Sequence, residues 1–408
     1  MKKYFIVLAA AALALSACSK VEVNEAPASR ITFQAVNYLT QTKADADTDT
    51  PVSVIKDFTA FNCMAYLHAQ GEDLTQAGAE LTTPKFQNFF GAFPGETISA
   101  NNAQNPTEWA PSHTYYWPKG EKSYVDFVAW YGTSQPTVVY EMNNNSKWQA
   151  TMTWNFETTF GQATSNLMYA DMAWRFKQNT KAAKYGSSGA TEGVPMMFHH
   201  ALAQINIKAY VDKDTNTGTG TLTPTNPAAA TLQDGVTDDI ATWTIKLKNA
   251  KISKIHKKGT LTLTNEDPGT EKTENPWSGD TWVASDTAAD ETIAELTVNK
   301  VGKDNAQDWI APSCVLPQDL VATATTVDAD VVLDFDLEIT TTYSDPANPN
   351  KEVLHFTKKL GADLGTAAWV KNHKYTYYLR IVPNQNKVLF DPALDVDWTD
   401  VEATEQVL

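Results

Sequence analysis

Residues 331–340 have the sequence VVLDFDLEIT. Every second side chain is apolar from Val331 to Ile339, and the residues between them are mostly acidic. Because successive side chains of a β-strand point to opposite faces, this period of two predicts an antiparallel strand with one buried face and one wetted face.

The same alternation recurs along the chain, at residues 201–209, 243–247, 261–263 and 375–381. No long segment shows the 3.6-residue period of an amphipathic helix. Valine, threonine and aromatic residues are frequent in the alternating segments, which suits a pleated and half-buried surface. The sequence therefore predicts an all-β fold of the sandwich type.

The composition excludes several classes of protein. The chain has 408 residues, of which 42% are hydrophobic, so it can bury a substantial core, and its formal net charge is −16. This charge opposes binding to phosphate backbones, so nucleic acid is not an expected partner. Three cysteines are too few for a disulfide scaffold or a zinc ribbon.

The first residues have the pattern of an export signal. Two lysines precede the apolar segment FIVLAAAALAL at residues 5–15, which is shorter than the roughly 18 apolar residues of a membrane-spanning helix. Residues 15–18 are LSAC and resemble the lipobox of bacterial lipoproteins. We therefore expect residues 1–17 to be a lipoprotein signal peptide and Cys18 to carry the lipid; the alternative is an ordinary signal peptide with a coincidental cysteine.

The glycine-rich stretch KYGSSGATEG at residues 184–193 is the best candidate for an interdomain linker. A boundary near residue 193 divides the chain into a lipidated segment at 18–43, an N-terminal domain at 44–193 and a C-terminal domain at 194–408. Both domains are long enough to form their own cores.

Several short motifs, in the same order along the chain, resemble those of the fimbrillin family of surface lipoproteins, the subunits of type V pili. They are RITF (30–33), QTKA (41–44), YWP (116–118), YVDFVAWY (124–131), FHHALAQINI (198–207), LPQ (316–318), WVKNHKYTY (369–377) and LFDP (389–392).

This resemblance implies two β-sandwich domains of transthyretin-like topology and a structural, non-enzymatic role without a cofactor. It also implies export of a lipoprotein precursor to the outer-membrane surface, where a trypsin-like protease removes the N-terminal strand. Another fimbrillin subunit then donates a strand to the open groove, which satisfies the unpaired sheet edge.

On this chain the resemblance assigns the removable strand to residues 31–36 and the processing site to the bond between Lys43 and Ala44, which precedes an acidic loop. Arg30 is the rival cleavage site, but a cut there would leave the strand attached. The strand residues are Ile31, Thr32, Phe33, Gln34, Ala35 and Val36.

The strand that this chain could donate is less well defined. Residues 399–408, TDVEATEQVL, form a poor apolar plug because Glu405 interrupts the face of Val401, Ala403 and Val407. A longer donor from residues 388–408 is the alternative. If these residues pack in their own domain, the subunit accepts a strand without donating one.

No catalytic or metal site is expected. His199 and His200 are adjacent on a strand and point to opposite faces, so structural hydrogen bonding is the expected role. The acidic run at residues 45–49 lacks the glycine and the final carboxylate of a calcium loop. The acidic side chains of residues 334–338 are expected to form a solvated face, and no common nucleotide, hydrolase or zinc motif is present.

A second function remains open: a monomeric glycan-binding or adhesin lipoprotein that binds a host or bacterial surface through exposed aromatic residues, for example at 275–282. Most of the 12 tryptophans are expected to be core and loop anchors instead. We expect Cys63 and Cys314 to be isolated thiols, with a disulfide between them as the alternative.

Overall fold

The structure, a computed structural model, describes residues 30–37, 55, 58–69, 89–103, 108–118, 123–145, 147–161, 166–177, 193–213, 215–217, 222–225, 229–231, 237–269, 273–279, 281–322, 330–345, 349–391 and 394–397. These residues form β-strands joined by turns, with two short 3-10 helices at Lys303–Asn305 and Pro383–Gln385. The predicted all-β fold is confirmed. Among the described residues, none forms a helix long and apolar enough to cross a membrane.

The strands of the first half of the chain are β1 (Phe33–Asn37), β2 (Ala60–Ala69), β3 (Glu96–Ala100), β4 (Trp109–Pro111), β5 (Ser123–Tyr131), β6 (Thr137–Met142), β7 (Trp148–Glu157), β8 (Met168–Ala170), β9 (Met172–Phe176), β10 (Val194–His200) and β11 (Ala203–Val211). Those of the second half are β12 (Thr215–Thr217), β13 (Leu222–Pro224), β14 (Ala229–Thr231), β15 (Thr237–Ile255), β16 (Lys258–Glu266), β17 (Thr273–Asn275), β18 (Trp282–Ala284), β19 (Ala289–Ile293), β20 (Leu296–Val298), β21 (Gln307–Val315), β22 (Gln318–Asp319), β23 (Val332–Tyr343), β24 (Asn350–Lys359), β25 (Ala368–Trp369), β26 (His373–Val382), β27 (Lys387–Phe390) and β28 (Leu394–Asp397).

The N-terminal sheet closes into a ring. Its strand order is β17-β9-β5-β2-β3-β4-β1-β10-β8, and β8 pairs additionally with β5. The strands β5, β2, β3, β4, β1, β10 and β8 therefore each have a neighbour on both sides. Phenylalanine side chains from β1, β2, β5 and β10 fill the interior: Phe33, Phe61, Phe127 and Phe198.

A four-stranded sheet, β18-β16-β7-β6, packs against the outer face of this ring. The alternation of β5 separates the two cores, because Phe127 points into the ring while Val128 and Trp130 point toward β7 and β16. The second core is rich in tryptophan and includes the fully buried Trp154 and Trp174.

The C-terminal part is a sandwich with its own core. One sheet has the order β21-β11-β26-β27, with β28 also paired to β26, and the other has the order β12-β13-β15-β23-β24. The alternating apolar residues of segment 331–340 are buried between them, as the sequence predicts. The alternations at 203–209, 243–247 and 375–381 are confirmed in the same core.

The boundary near residue 193 stays a prediction. β10, which follows it directly, is hydrogen-bonded to β1 and β8, and β16 pairs with β7 from Gln149 to Glu157. Strand pairing therefore crosses this position in the sequence.

Some segments with the composition of surface loops contain strands, as residues 101–111 and 265–280 show. Within residues 101–111, β4 carries the buried Trp109 and pairs with β3 and β1. Within residues 265–280, β17 pairs with β9. Both segments are rich in turn-forming residues, and their strands are set by tertiary pairing that no local pattern encodes.

Replacing Phe335 tests the C-terminal core. Its ring lies 5.2 Å from Trp309, 5.5 Å from Phe356 and 6.2 Å from Phe390, measured between centroids. We expect Phe335→Ala to lower the free energy of unfolding by about 3–5 kcal/mol, because a large cavity is left. Val353 is 54% exposed on β24, and Val353→Ala is expected to cost less than about 0.5 kcal/mol. Urea unfolding of both variants measures this; equal losses would contradict the assignment of the core.

Candidate functional site

The first described strand, β1, is a member of the ring and has a neighbouring strand on each side. β1 runs parallel to β10 with five register pairs, from Phe33 with Val194 to Asn37 with Phe198. On its other side it meets β4 only at Phe33 and Trp109, in antiparallel orientation. Predicted strand residues 31–36 therefore fall on β1 and the two residues before it.

The inward side chains of this segment fill a phenylalanine-lined hole. Ile31, Phe33 and Ala35 are only 1%, 0% and 3% exposed. The Phe33 ring lies edge-on to those of Phe127 and Phe61, at centroid distances of 5.2 Å and 6.2 Å, and 6.1 Å from that of Phe90. The burial of Ile31, Phe33 and Ala35 agrees with the predicted inner face, but the outer face is not exposed, because Thr32 is half-buried and Gln34 is buried.

Gly193 lets the backbone of β1 approach. A Cβ atom at this position would lie 2.9 Å from the carbonyl carbon of Phe33 and 3.1 Å from its Cα and nitrogen. Such distances are shorter than normal van der Waals contacts, and the atoms that would have to move belong to the backbone. Position 193 must therefore be glycine for β1 to pack where it does. Gly193 ends the stretch predicted as an interdomain linker, and nothing local in the sequence reveals the close approach.

A hydrogen-bonded cluster holds the start of the segment. The Ile31 N–H donates to the Tyr115 carbonyl over 2.9 Å, and Arg30 forms an isolated bridge with Tyr116. The Tyr115 hydroxyl donates to Glu96 over 2.8 Å, Ser112 also donates to Glu96, and His113 Nδ1 lies 2.9 Å from the same carboxylate.

The Glu96 carboxylate is stabilised in its charged form. Burial opposes ionisation, but hydrogen bonds from Ser112, Tyr115 and His113 outweigh it and lower the pKa of Glu96 below its usual value. Burial, together with the bond to Glu96, raises the pKa of Tyr115 to about 12. This cluster was not foreseen, since its members are distant in the sequence and no motif joins them.

The residues predicted for anchoring and processing fall elsewhere. Cys18, Lys43 and Ala44 lie outside the described residues, as does the acidic run at 45–49. Arg30 is described and exposed, and it stands before β1.

The other polar candidates are structural. His199 Nε2 lies 2.9 Å from Asp171 Oδ1, and His200 Nδ1 lies 2.9 Å from Asn166 Oδ1, so the two histidines serve different networks as predicted. No cluster of three or more metal-ligating side chains occurs in the part of the chain that the structure describes.

The acidic face of β23 differs from the expected solvated surface, because cations of the neighbouring strands cover it. His355 contacts Asp334 and Asp336 at 2.9 Å each, and Glu338 pairs with Lys248 at 2.9 Å and with Lys351 at 2.8 Å. Strand register creates these cross-strand pairs, so a single strand's sequence does not show them.

The aromatic residues proposed for glycan contact are buried. Trp277 and Trp282 are 7% and 8% exposed, and their Nε1 atoms donate to the carbonyls of Ala170 and Ala201. They anchor their segment to β8 and to the turn that follows β10. The other described tryptophans are buried as well, which confirms the prediction that most tryptophans are core or loop anchors. The loop does not present the aromatic platform required by the glycan-binding alternative.

The described part of the possible donor segment, residues 388–391 and 394–397, pairs within the C-terminal sandwich. β27 and β28 both pair with β26, and Val388 is buried in the C-terminal core. Residues 398–408 lie outside the described residues. Cys63 and Cys314 are both buried and belong to different cores, and they do not form the alternative disulfide with each other.

Comparison with known proteins identifies relatives. A family model described as fimbrillin-like matches residues 75–393. A fimbrial protein from Bacteroides vulgatus ATCC 8482 is 16% identical with a TM-score of 0.45, covering 91% of this chain and 100% of that one. A proposed cell adhesion protein from Bacteroides uniformis ATCC 8492 is 15% identical with a TM-score of 0.38, covering 91% and 98%. No curated protein matches significantly.

The lowered pKa of Glu96 gives a pH-dependent contribution to stability. A lowered pKa means that the stabilisation is complete above the usual value of 4.5 and is lost as the pH falls through the lowered value. We expect Glu96→Gln to be less stable than the parent at pH 6, with a difference that shrinks below pH 4.

Unfolding free energies of parent and variant between about pH 3 and 7 measure this difference. Glu141→Gln, at an exposed position of β6, is the control and is expected to show no such difference. A gap between Glu96→Gln and the parent that stays constant with pH would contradict the assignment.

Proposed function

The chain belongs to the fimbrillin-like family, and on that premise we propose that it is a structural subunit of a type V-like fimbria that exchanges its N-terminal strand. A trypsin-like protease removes the segment containing β1, and a strand of another subunit occupies the vacated groove. The observation that carries the proposal is the position of β1 between β4 and β10 in an otherwise complete ring.

Loss of β1 opens two edges in the ring. β10 loses the partner of residues 194–198, and β4 loses its contact at Trp109. Unpaired N–H and C=O groups on such edges form a template for a new strand. An incoming strand in the orientation of β1 restores this pairing by β-strand addition.

Burial of apolar side chains in the groove left by β1 adds to the free energy that favours uptake of a donor strand. Ile31 and Phe33 are buried against the phenylalanines of the ring, and burial of one such side chain is worth about 1.5–3 kcal/mol. Their removal leaves apolar surface that water cannot satisfy. A donor strand with a large aliphatic, an aromatic and a small residue at alternating positions fills the same space.

Contacts on the outside of the ring hold its remaining strands in place. The groove can therefore keep its shape after β1 has left. Trp174 Nε1 donates to Asn265 over 2.8 Å, and Arg175 binds Asp267 with its Nε at 2.9 Å and its Nη2 at 2.5 Å. These contacts fasten β9, next to β5, to the end of β16. None of them involves β1.

The choice of cleavage site depends on which cut releases β1. A cut after Arg30 would separate only residues before Ile31 and leave β1 in the ring, whereas a cut between Lys43 and Ala44 releases β1 from the body. Arg30 also pairs with Tyr116, which places it against structured chain. Lys43 is therefore the proposed processing site.

Export and anchoring complete the proposal. Residues 1–17 act as the signal peptide, and Cys18 carries the lipid that anchors the precursor in the outer membrane. The body comprises two β-sandwich domains of transthyretin-like topology with a boundary near residue 193. Family membership supports a cell-surface role in fimbriae or adhesion and points to a structural protein without enzymatic activity.

Limited trypsin digestion tests the processing site. We expect digestion of the full chain to yield a folded body that begins at Ala44, because Lys43 lies between β1 and the rest of the ring. Lys43→Gln is expected to retain β1 under the same conditions, while Arg30→Gln is expected to be processed like the parent. N-terminal sequencing and native mass spectrometry give the readout.

The digestion assay distinguishes a fimbrial subunit from a monomeric adhesin. A body that loses residues up to 43 and then forms oligomers or takes up a strand peptide supports the subunit. An unchanged monomer in which β1 stays bound would favour the monomeric adhesin. Processing of Lys43→Gln at the parental rate, together with resistance of Arg30→Gln, would overturn the choice of Lys43.

A peptide of residues 30–37, RITFQAVN, tests the specificity of the groove. We expect it to bind the trypsin-processed body, and its Phe33→Ala version to bind about 100-fold more weakly, since loss of a buried phenylalanine costs about 3 kcal/mol or more. The Thr32→Ala version, altered on the other face of the strand, is the matched control and should bind within a few fold of the parent.

Gly193→Ala in the body is expected to weaken both peptides, because the added methyl meets the peptide backbone. Titration calorimetry measures these affinities. Equal binding of the Phe33→Ala and Thr32→Ala peptides would show that the groove does not recognise the aromatic side chain.

A further inference from the structure

A cleft lies between the outer sheet and the C-terminal sandwich. Its volume is about 410 Å³, which is within the range of ligand-binding pockets. Polar side chains, among them Lys371 and Asp319, border a lining of small and aliphatic side chains. The members of this lining are Ala284, Leu316, Pro317, Ala368 and Val370. A ligand of this cleft must therefore combine a small apolar body with hydrogen-bonding groups.

The strand β18 contributes an unpaired backbone edge to this cleft. It pairs with β16 and with no other strand of the described chain. The Ser285 N–H donates to the Lys258 carbonyl over 2.9 Å, so by alternation Val283 also turns its backbone groups toward β16. Trp282 and Ala284 then turn their N–H and C=O groups away from β16. These two residues line the cleft, and Val283 does not.

A second free edge, from β25, borders the same cleft. β25 pairs with β22 and with no other described strand. In this ladder the Leu320 N–H donates to the Ala367 carbonyl over 2.9 Å. Ala368 is the next residue, so its N–H and C=O groups point away from β22. Because Ala368 also lines the cleft, two short edges with unpaired backbone groups meet at one cavity.

One polar group of the cleft lacks a partner. Gln318 lies in the lining, and its Oε1 accepts the His256 N–H over 3.0 Å. Because a backbone N–H can only donate, this bond fixes the orientation of the Gln318 amide. The Nε2 atom at its other end is buried and has no hydrogen-bond partner in the described part of the chain. A buried donor without a partner is costly, and a ligand that brings an acceptor removes this cost.

These features suit a peptide better than a saccharide. A sugar ring stacks on an open aromatic face, but Trp369 and Trp282 are only 1% and 8% exposed. An extended peptide needs no such face. Its N–H and C=O groups on one side repeat about every 7 Å, which is also the repeat along a strand edge. The two edges and the amide donor therefore match a peptide backbone.

We propose that this cleft binds an extended peptide segment of a partner protein, which adds to β18 as a fifth strand of the outer sheet. The peptide pairs with the free backbone groups of Trp282 and Ala284, as in β-strand addition. One of its carbonyls accepts from Gln318 Nε2. The side chains that face the apolar lining are small and aliphatic, because a charge buried there would have no partner.

The cleft is separate from the seat of β1. None of its lining residues belongs to β1, β4 or β10. Peptide binding there requires neither cleavage nor strand exchange, so it goes beyond the proposed function. It gives the subunit a second surface that accepts a strand while β1 stays in place. A negative result at the cleft would leave the proposed function of the ring untouched.

Hydrogen exchange with a designed peptide tests the site. The probe is a hexapeptide of alternating valine and threonine with blocked ends, added to the full, unprocessed chain. We expect saturating peptide to slow exchange of the Trp282 and Ala284 amides at least about ten-fold, because both become hydrogen-bonded. The Val283 amide already faces β16, so it is the internal control and should not change. The same peptide with every amide N-methylated should protect none of them.

Two substitutions examine the contacts separately. Gln318→Glu keeps an acceptor for the His256 N–H, but at about pH 8 it is a carboxylate that repels a peptide carbonyl. We expect peptide binding to weaken about ten-fold. Ala284→Pro removes a donor of the free edge, which an edge strand tolerates, and should weaken binding similarly. Val283→Thr, at a 67% exposed position of β18, is the matched control and should bind like the parent in titration calorimetry.

Several outcomes would overturn the proposal. Equal binding of the N-methylated peptide, protection confined to other strands, or no binding at millimolar peptide would each do so. Slower exchange of the same amides with cellotetraose would show a saccharide site instead. Dimers of the full chain that Ala284→Pro abolishes would assign the edge of β18 to a second copy.

Discussion

A sheet strand that lacks a neighbour exposes a row of backbone donors and acceptors, and the ring of this protein avoids that exposure only because β1 lies between β4 and β10. The strand comes from the start of the described chain and is held by five register pairs on one side and one on the other. Its aromatic side chain sits at the centre of the ring core. The integrity of the N-terminal core therefore depends on a short segment that precedes all the other strands of the ring in the sequence.

The outer sheet explains why such an arrangement is physically workable. β16 comes from the second half of the chain and pairs with β7 over nine consecutive register positions. Trp277 and Trp282 anchor the loop that follows β17 to the carbonyls of Ala170 and Ala201. The ring is thus braced from outside, both by the tryptophan-rich core that it shares with the outer sheet and by buried hydrogen bonds. A groove that must be open for a time needs this external support, because its own closure is incomplete during that time.

The sequence specifies the strands whose faces differ in polarity and leaves the pairing partners undefined. The alternation in 331–340, and that of Ile31, Phe33 and Ala35, predicted the buried faces correctly, because burial acts on each strand separately. The cluster around Glu96 and the close approach at Gly193 were not predictable, because each depends on which strands meet. β4 has no sequence signature for the same reason: three residues cannot show a period, and its identity as a strand comes from its pairing with β3 and β1. The family motifs predicted a removable strand, and its seat in the ring is apparent only from the three-dimensional pairing.

The seat of β1 restricts the side chains that a donor strand can place there. It surrounds Phe33 with three phenylalanine rings, and a valine there would leave a cavity whose cost rises by about 24 cal/mol per Å³. Residues 399–408 carry no aromatic residue. Size complementarity therefore favours a donor with an aromatic residue at the position of Phe33 over one with the sequence of residues 399–408.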